Sequence, residues 1–222
     1  MSLDRNWWKY FLGCWMVLII LGAFLYAPPA KGLGDTARIL FFHVPMAWLA
    51  TLSFLISAVS SLHYLRRRER IYDIWAVSAA QIGLLFAFLA TITGSIWAKK
   101  IWHSYWNWDP RETSIFILLL IYAAYFALRS AVDVDEQRAK LAAVYSIIAF
   151  VTVPFFIFII PRVYESLHPD PLINPEGKIK MDSRMLQVFL GSLFGFTLLF
   201  YWLLRIKVFI ARAKISLDNS NE

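Results

Sequence analysis

Apolar residues run along this chain in six long windows, at about residues 8–27, 38–64, 74–98, 113–130, 140–160 and 185–208. Each approaches or exceeds the roughly 20 residues that a helix needs to cross the hydrocarbon of a bilayer. Asp, Glu, Lys and Arg are missing from the middle of every window. Between the windows lie "PPAKGLGD", "RRRER", a tryptophan-rich stretch, "DVDEQR" and a long tract from Pro161 to Arg184. No repeat, low-complexity tract or hinge divides the sequence. The pattern predicts an all-α, polytopic integral membrane protein with six transmembrane helices, built as a single membrane domain over residues 1–222.

Composition supports this class. Hydrophobic residues make up 59% of the chain and charged residues 17%, against about 45–50% apolar residues in an ordinary soluble domain. The net charge of +7 would suggest nucleic acid in a soluble protein. Here it is better explained by Lys and Arg held in cytoplasmic loops, so the bilayer, not nucleic acid, is the expected surrounding. The single Cys14 cannot form an intramolecular disulfide. "LGC" at residues 12–14 is followed, not preceded, by an apolar segment, which argues against a lipoprotein site. The first window reads equally well as a retained helix and as a cleaved signal.

Orientation follows from the basic residues. An even number of spans places both termini on one side. That side collects Arg5, Lys9, Arg66, Arg67, Arg68, Arg70, Arg129, Arg138, Lys140, Arg205, Lys207, Arg212 and Lys214, thirteen of the 22 Lys and Arg residues. The bias predicts cytoplasmic termini and an outer face formed by residues 28–38, 98–112 and 161–184. Chemistry is expected where these three segments converge.

The densest feature there is the loop at about 97–112. Trp97, Trp102, Trp106 and Trp108 crowd into it, with Tyr105 among them. Tryptophan and tyrosine favour the membrane interface, so an aromatic belt is one reading. The other is a shelf for a large planar ligand, with Trp102 and Trp106 at i, i+4 on a short helix lying flat. "DPRET" reads as a helix start, with Asp109 at the N-cap, Pro110 at N1 and Glu112 at N3 of a capping box. Asp109 is therefore expected to fix where the fourth span begins and how the aromatic segment sits on it.

Four histidines are present. His63 precedes "YLRRRER" at the cytoplasmic edge and reads as structural. His103 lies within the aromatic segment. His43 lies in "FFHVPMAW", where Pro45 is expected to kink the helix and free the carbonyl four residues earlier. His168 lies in the last outer loop, which Pro161, Pro169, Pro171 and Pro175 stiffen. His43 and His168 flank the aromatic segment. Two imidazoles beside flat aromatic surface suggest heme, whose iron takes axial ligands on either side of the ring. Lys99, Lys100 and Arg111 could then meet its propionates. Two unrelated interfacial histidines remain the alternative on these residues alone.

"GSIWAKKIWHSYWNWDPRETS" resembles the tryptophan-rich signature, or WWD domain, of the heme-handling proteins of cytochrome c biogenesis. "FFHVPMAW" and "SLHPDPLI" resemble the two outer histidine segments of the cytochrome c maturation protein C branch of that CcmC/CcsA family. The resemblance covers nearly the whole chain, six spans included. The family's signature usually carries glycine where His103 stands, so no special role falls to His103.

The resemblance implies a heme carrier in a bacterial cytoplasmic (inner) membrane, with heme b as cargo at the outer face. It implies axial ligands His43 and His168 and a platform of Trp97, Trp102, Trp106, Trp108 and Asp109. The partners it implies are a periplasmic heme chaperone, ABC-transporter subunits and a small single-span protein. It implies no enzymatic step, and the sequence carries no nucleophile–base pair, phosphate loop or metal-ligand cluster. "WDPRETS" also resembles the longer synthase subunits of the other maturation pathway, making a short relative of those one alternative. A heme-bearing electron-transfer subunit is another, although such proteins usually hold their histidines mid-membrane.

Overall fold

A computed structural model of the chain describes residues 6–169 and 181–220. Among these residues, six helices are long and apolar enough to cross a membrane. α1 (Trp7–Leu21) continues through a π-helical turn, Gly22–Tyr26. A 3-10 turn, Asp35–Ile39, leads into α2 (Leu40–Arg67). α3 is Arg70–Trp102, α4 is Pro110–Ala131, and α5 is Asp135–Pro154. α5 continues through a π-helical turn, Phe155–Ile159, and a last turn, Ile160–Val163. α6 is Ser183–Ser220.

The helices outrun the apolar windows because their polar ends stay helical. "RRRER" shrinks to a two-residue link, with Arg66 and Arg67 closing α2, Arg70 opening α3, and Arg68 in the left-handed conformation (φ 57°) between them. Most of "DVDEQR" is likewise the first turn of α5, with Asp135 and Glu136 inside it. Acidic side chains suit that position because they face the positive end of the helix dipole. Of the prolines expected to stiffen the last loop, Pro171 and Pro175 lie outside the described residues.

α2 and α3 form the closest pair. A methyl group on Gly83 would sit 2.6 Å from the Phe54 ring, so only glycine lets the two backbones approach this far. Small residues serve that purpose in membrane bundles, where apolar burial does not by itself draw helices together. The buried polar groups in mid-bundle are hydroxyls: Ser53, Ser57, Ser61 and Ser78 on α2 and α3, and Ser146 on α5. Ser57 and Ser146 hydrogen-bond across α2 and α5 at 2.9 Å. Beside the α2–α3 link, Arg129 of α4 grips Asp73 of α3 bidentately, at 2.6 and 2.9 Å. His63 Nδ1 donates to the Val59 carbonyl (2.8 Å) and the ring stacks on Tyr72, which fits its structural reading.

Pro45 lies inside α2. Lacking an N–H, it leaves the Phe41 carbonyl without its helical donor, as expected. The buried Ser192 hydroxyl of α6 donates to that carbonyl. Phe41, Ala23, Val188 and Phe189 pack around this point, so the bond ties α1, α2 and α6 two residues from His43. Ser192→Ala should leave a buried carbonyl unsatisfied and cost about 1–3 kcal/mol. Thermal unfolding of the detergent-purified protein checks this, and an unchanged midpoint would show that Ser192 does not hold the proline-freed carbonyl.

Candidate functional site

α3 carries the site's first wall. Its C-terminal turns run through Trp97 to Trp102, past the edge of the apolar window. Helix geometry stops at His103, which adopts φ 60°. Lys99 Nζ donates to the His103 carbonyl at 3.0 Å and lies 5.4 Å from the Tyr105 ring centre. The 97–112 loop is therefore shorter than expected, and Trp102 and Trp106 do not share a flat helix. Residues 103–105 bend and 106–109 have no regular structure; Ser104 Oγ donates to the Trp106 carbonyl (2.8 Å) and the Asn107 amide donates to Glu112 (2.7 Å). Trp108 follows with φ 57°.

The predicted single shelf becomes two groups of edge-on rings. Trp97 and Trp102 meet at 5.1 Å and 80°, and Trp106 and Trp108 at 5.8 Å and 90°. Trp106 also meets Phe116 of α4, while Trp108 is 69% exposed.

Asp109 starts α4 as the spacing predicted. Its side chain accepts from the Arg111 amide at 2.9 Å, Glu112 reaches back to the Asp109 amide at 3.4 Å, and Pro110 is the first helical residue. The carboxylate does more than cap. It is buried, and its two oxygens also accept from the Ser166 hydroxyl (3.0 and 2.9 Å), the Leu167 amide (2.7 Å) and His168 Nδ1 (3.0 Å). Burial alone would push its carboxyl up. The Arg111 and Leu167 amides, the Ser166 hydroxyl and the nearby His168 imidazole outweigh that and hold it below the ordinary value. Asp109 is therefore a carboxylate, an acceptor only. Sequence reasoning found the cap and missed this clasp on the last loop, since residues 57 to 59 apart leave no local signature.

His168 sits between the clasp and the first aromatic group. Its ring lies 4.9 Å from Trp102, edge-on, and 6.1 Å from Trp97. Burial pushes its imidazole below the ordinary value, Asp109 opposes the shift, and Arg111 adds to it. The neutral imidazole then donates through Nδ1, because Asp109 can only accept, which puts the ring's lone pair on Nε2.

His43 comes from a different element, near the start of α2. Its Nδ1 lies 3.0 Å from the hydroxyl of Thr93 on α3. Thr93 stands four residues before Trp97, so the α3 face that His43 meets is the one that bears Trp97. The structure thus brings together His43, Trp97, Trp102, His168, Asp109 and Arg111. It sets Trp106 and Trp108 in a second group beside the cap. Lys99 is engaged locally, and Lys100 is exposed on the last turn of α3.

The family profile described as heme exporter protein C matches residues 1–220. The chain belongs to the heme exporter protein C family. Heme exporter protein C of Bradyrhizobium diazoefficiens is 35% identical over 187 residues, covering 83% of this chain and 71% of that protein. Those of Paracoccus denitrificans and Escherichia coli K12 are 34% and 30% identical, covering 78% and 79% of this chain and 72% and 70% of theirs. Membership in the heme exporter protein C family sets aside the synthase-type reading.

His103 holds a left-handed φ of 60°, a conformation that glycine takes without steric cost. A Cβ in this region costs roughly 1–2 kcal/mol. His103→Gly should therefore keep the fold and raise the unfolding temperature. A fall in thermal stability would mean that the imidazole itself contributes.

Proposed function

We propose that this protein is a heme carrier of cytochrome c maturation, which binds heme at the outer face of a bacterial inner membrane and releases it to a heme chaperone. One observation carries the reading. Two imidazoles, one from α2 and one from the loop after α5, meet the α3 face that bears Thr93 and Trp97, each with Nδ1 engaged and with no hydrogen-bond partner for Nε2 among the described residues. Imidazole is a common axial ligand of heme iron. Protein ligands of metals characteristically give their other ring N–H to a carboxylate or a comparable acceptor. Trp97 and Trp102 supply apolar surface beside His168 for the macrocycle, and Arg111 supplies positive charge for a propionate. The donor set therefore fits heme as a substrate.

In this reading His43 and His168 are the axial ligands and Asp109 orients His168. Trp97 and Trp102 line one edge of the macrocycle, and Trp106 and Trp108 form an outer rim. Lys100 joins Arg111 as a propionate contact. The chain makes and breaks no covalent bond. Its cargo is heme b, and ABC-transporter subunits, a small single-span protein and the chaperone are its partners. The thirteen basic residues gathered on one side of the bundle support cytoplasmic termini and an outer site.

Purified wild type should show a heme spectrum with two nitrogenous axial ligands. His43→Ala and His168→Ala should each lose that signature and lower the heme-to-protein ratio. Unchanged spectra in both would refute the ligand assignment. For topology, a cysteine at position 103 should react with an impermeant maleimide in intact cells, and one at position 69 should not. The reverse pattern would place the site on the cytoplasmic side.

A further inference from the structure

We infer that Thr93 is the positioning residue for His43, fixing its tautomer and presenting Nε2, not Nδ1, to the ligand. The inference rests on the reading of His43 as a heme ligand and names what makes it one. The Thr93 hydroxyl has one proton. It lies 2.9 Å from the Leu89 carbonyl and 3.1 Å from that of Ala90, both on its own helix. With the proton committed there, the oxygen meets His43 Nδ1, at 3.0 Å, only as an acceptor. Nδ1 therefore carries the hydrogen, and the imidazole lone pair is on Nε2.

The neighbouring residue sets the depth of the ring. Gly94 has no side chain, and a methyl group there would lie 3.1 Å from His43 Cε1 and 3.6 Å from Nδ1. The imidazole thus rests against the α3 backbone, held by a hydroxyl on one side and by the missing Cβ on the other. Pro45 and the Ser192 bond to Phe41 fix the turn of α2 that carries it. His43 and His168 are consequently held in different ways, His43 by a neutral hydroxyl inside the bundle and His168 by a carboxylate on a loop.

Partners of this kind are worth about 10–100-fold in affinity at metal-ligating histidines. Thr93→Val keeps the shape of the side chain and removes the acceptor. Thr93→Ser keeps the acceptor. Gly94→Ala keeps the hydrogen bond and displaces the ring. All three, with His43→Ala and wild type, are titrated with hemin in detergent, and the Soret band and the heme reduction potential are recorded.

The inference expects Thr93→Val to weaken heme binding at least about ten-fold and to shift the potential, with Thr93→Ser close to wild type. Gly94→Ala should weaken binding as well, and Thr93→Ala, which also lacks the acceptor oxygen, carries the test if Thr93→Val does not fold. Wild-type affinity and potential in Thr93→Val, or equal losses in Thr93→Val and Thr93→Ser, would overturn it while leaving His43 a ligand if His43→Ala still binds poorly. Wild-type binding by His43→Ala would instead overturn the ligand reading, and the inference with it.

Discussion

Four donors converge on the carboxylate of Asp109: the Arg111 amide, the Ser166 hydroxyl, the Leu167 amide and His168 Nδ1. One buried side chain thereby closes the start of α4, pins the loop that follows α5 and sets the plane of the His168 imidazole. A buried carboxylate is costly unless its oxygens are satisfied, so these donors and the acid depend on one another. The aromatic segment inherits its path from the same junction. Asn107 and Asp109 reach Glu112 of the capping box, and Trp108 is carried between them in a left-handed conformation.

The other half of the site is built by different means. His43 rides on a membrane helix, and its position depends on Pro45, on the Ser192 hydroxyl and on the bare backbone at Gly94. Neither half holds a metal-binding geometry by itself. The α3 face bearing Thr93, Gly94 and Trp97 joins them, touching His43 through the first two and His168 through the third. In the proposed carrier reading, that convergence is where the heme of a heme exporter protein C family member would bind.

Much of the fold was legible because bilayer thickness imposes a length on each apolar window. The same constraint acts only on the middles of helices. Helix ends were therefore misjudged, most visibly where "RRRER" and "DVDEQR" proved to be mainly helical. The capping box at Asp109 was readable because its members lie within four residues. The carbonyl freed by Pro45 was readable from the chemistry of proline, but its partner Ser192 was not, because |i−j| is 151. The flat helix through Trp102 and Trp106 failed because i, i+4 spacing carries no information about the left-handed residue at His103 that ends α3. Thr93 and Ser166 gave no signal, since lone hydroxyls are ordinary in membrane helices and loops.

Heme occupancy of Asp109→Asn, normalised to protein yield, tests the account most directly. Asparagine still caps a helix, but it offers one acceptor oxygen where four donors meet and carries no charge to hold the His168 Nδ1–H. The account predicts wild-type yield with heme occupancy several-fold lower and the two-nitrogen spectrum lost. Wild-type occupancy with an unchanged spectrum would contradict it, leaving Asp109 a helix cap and His168 positioned by something else.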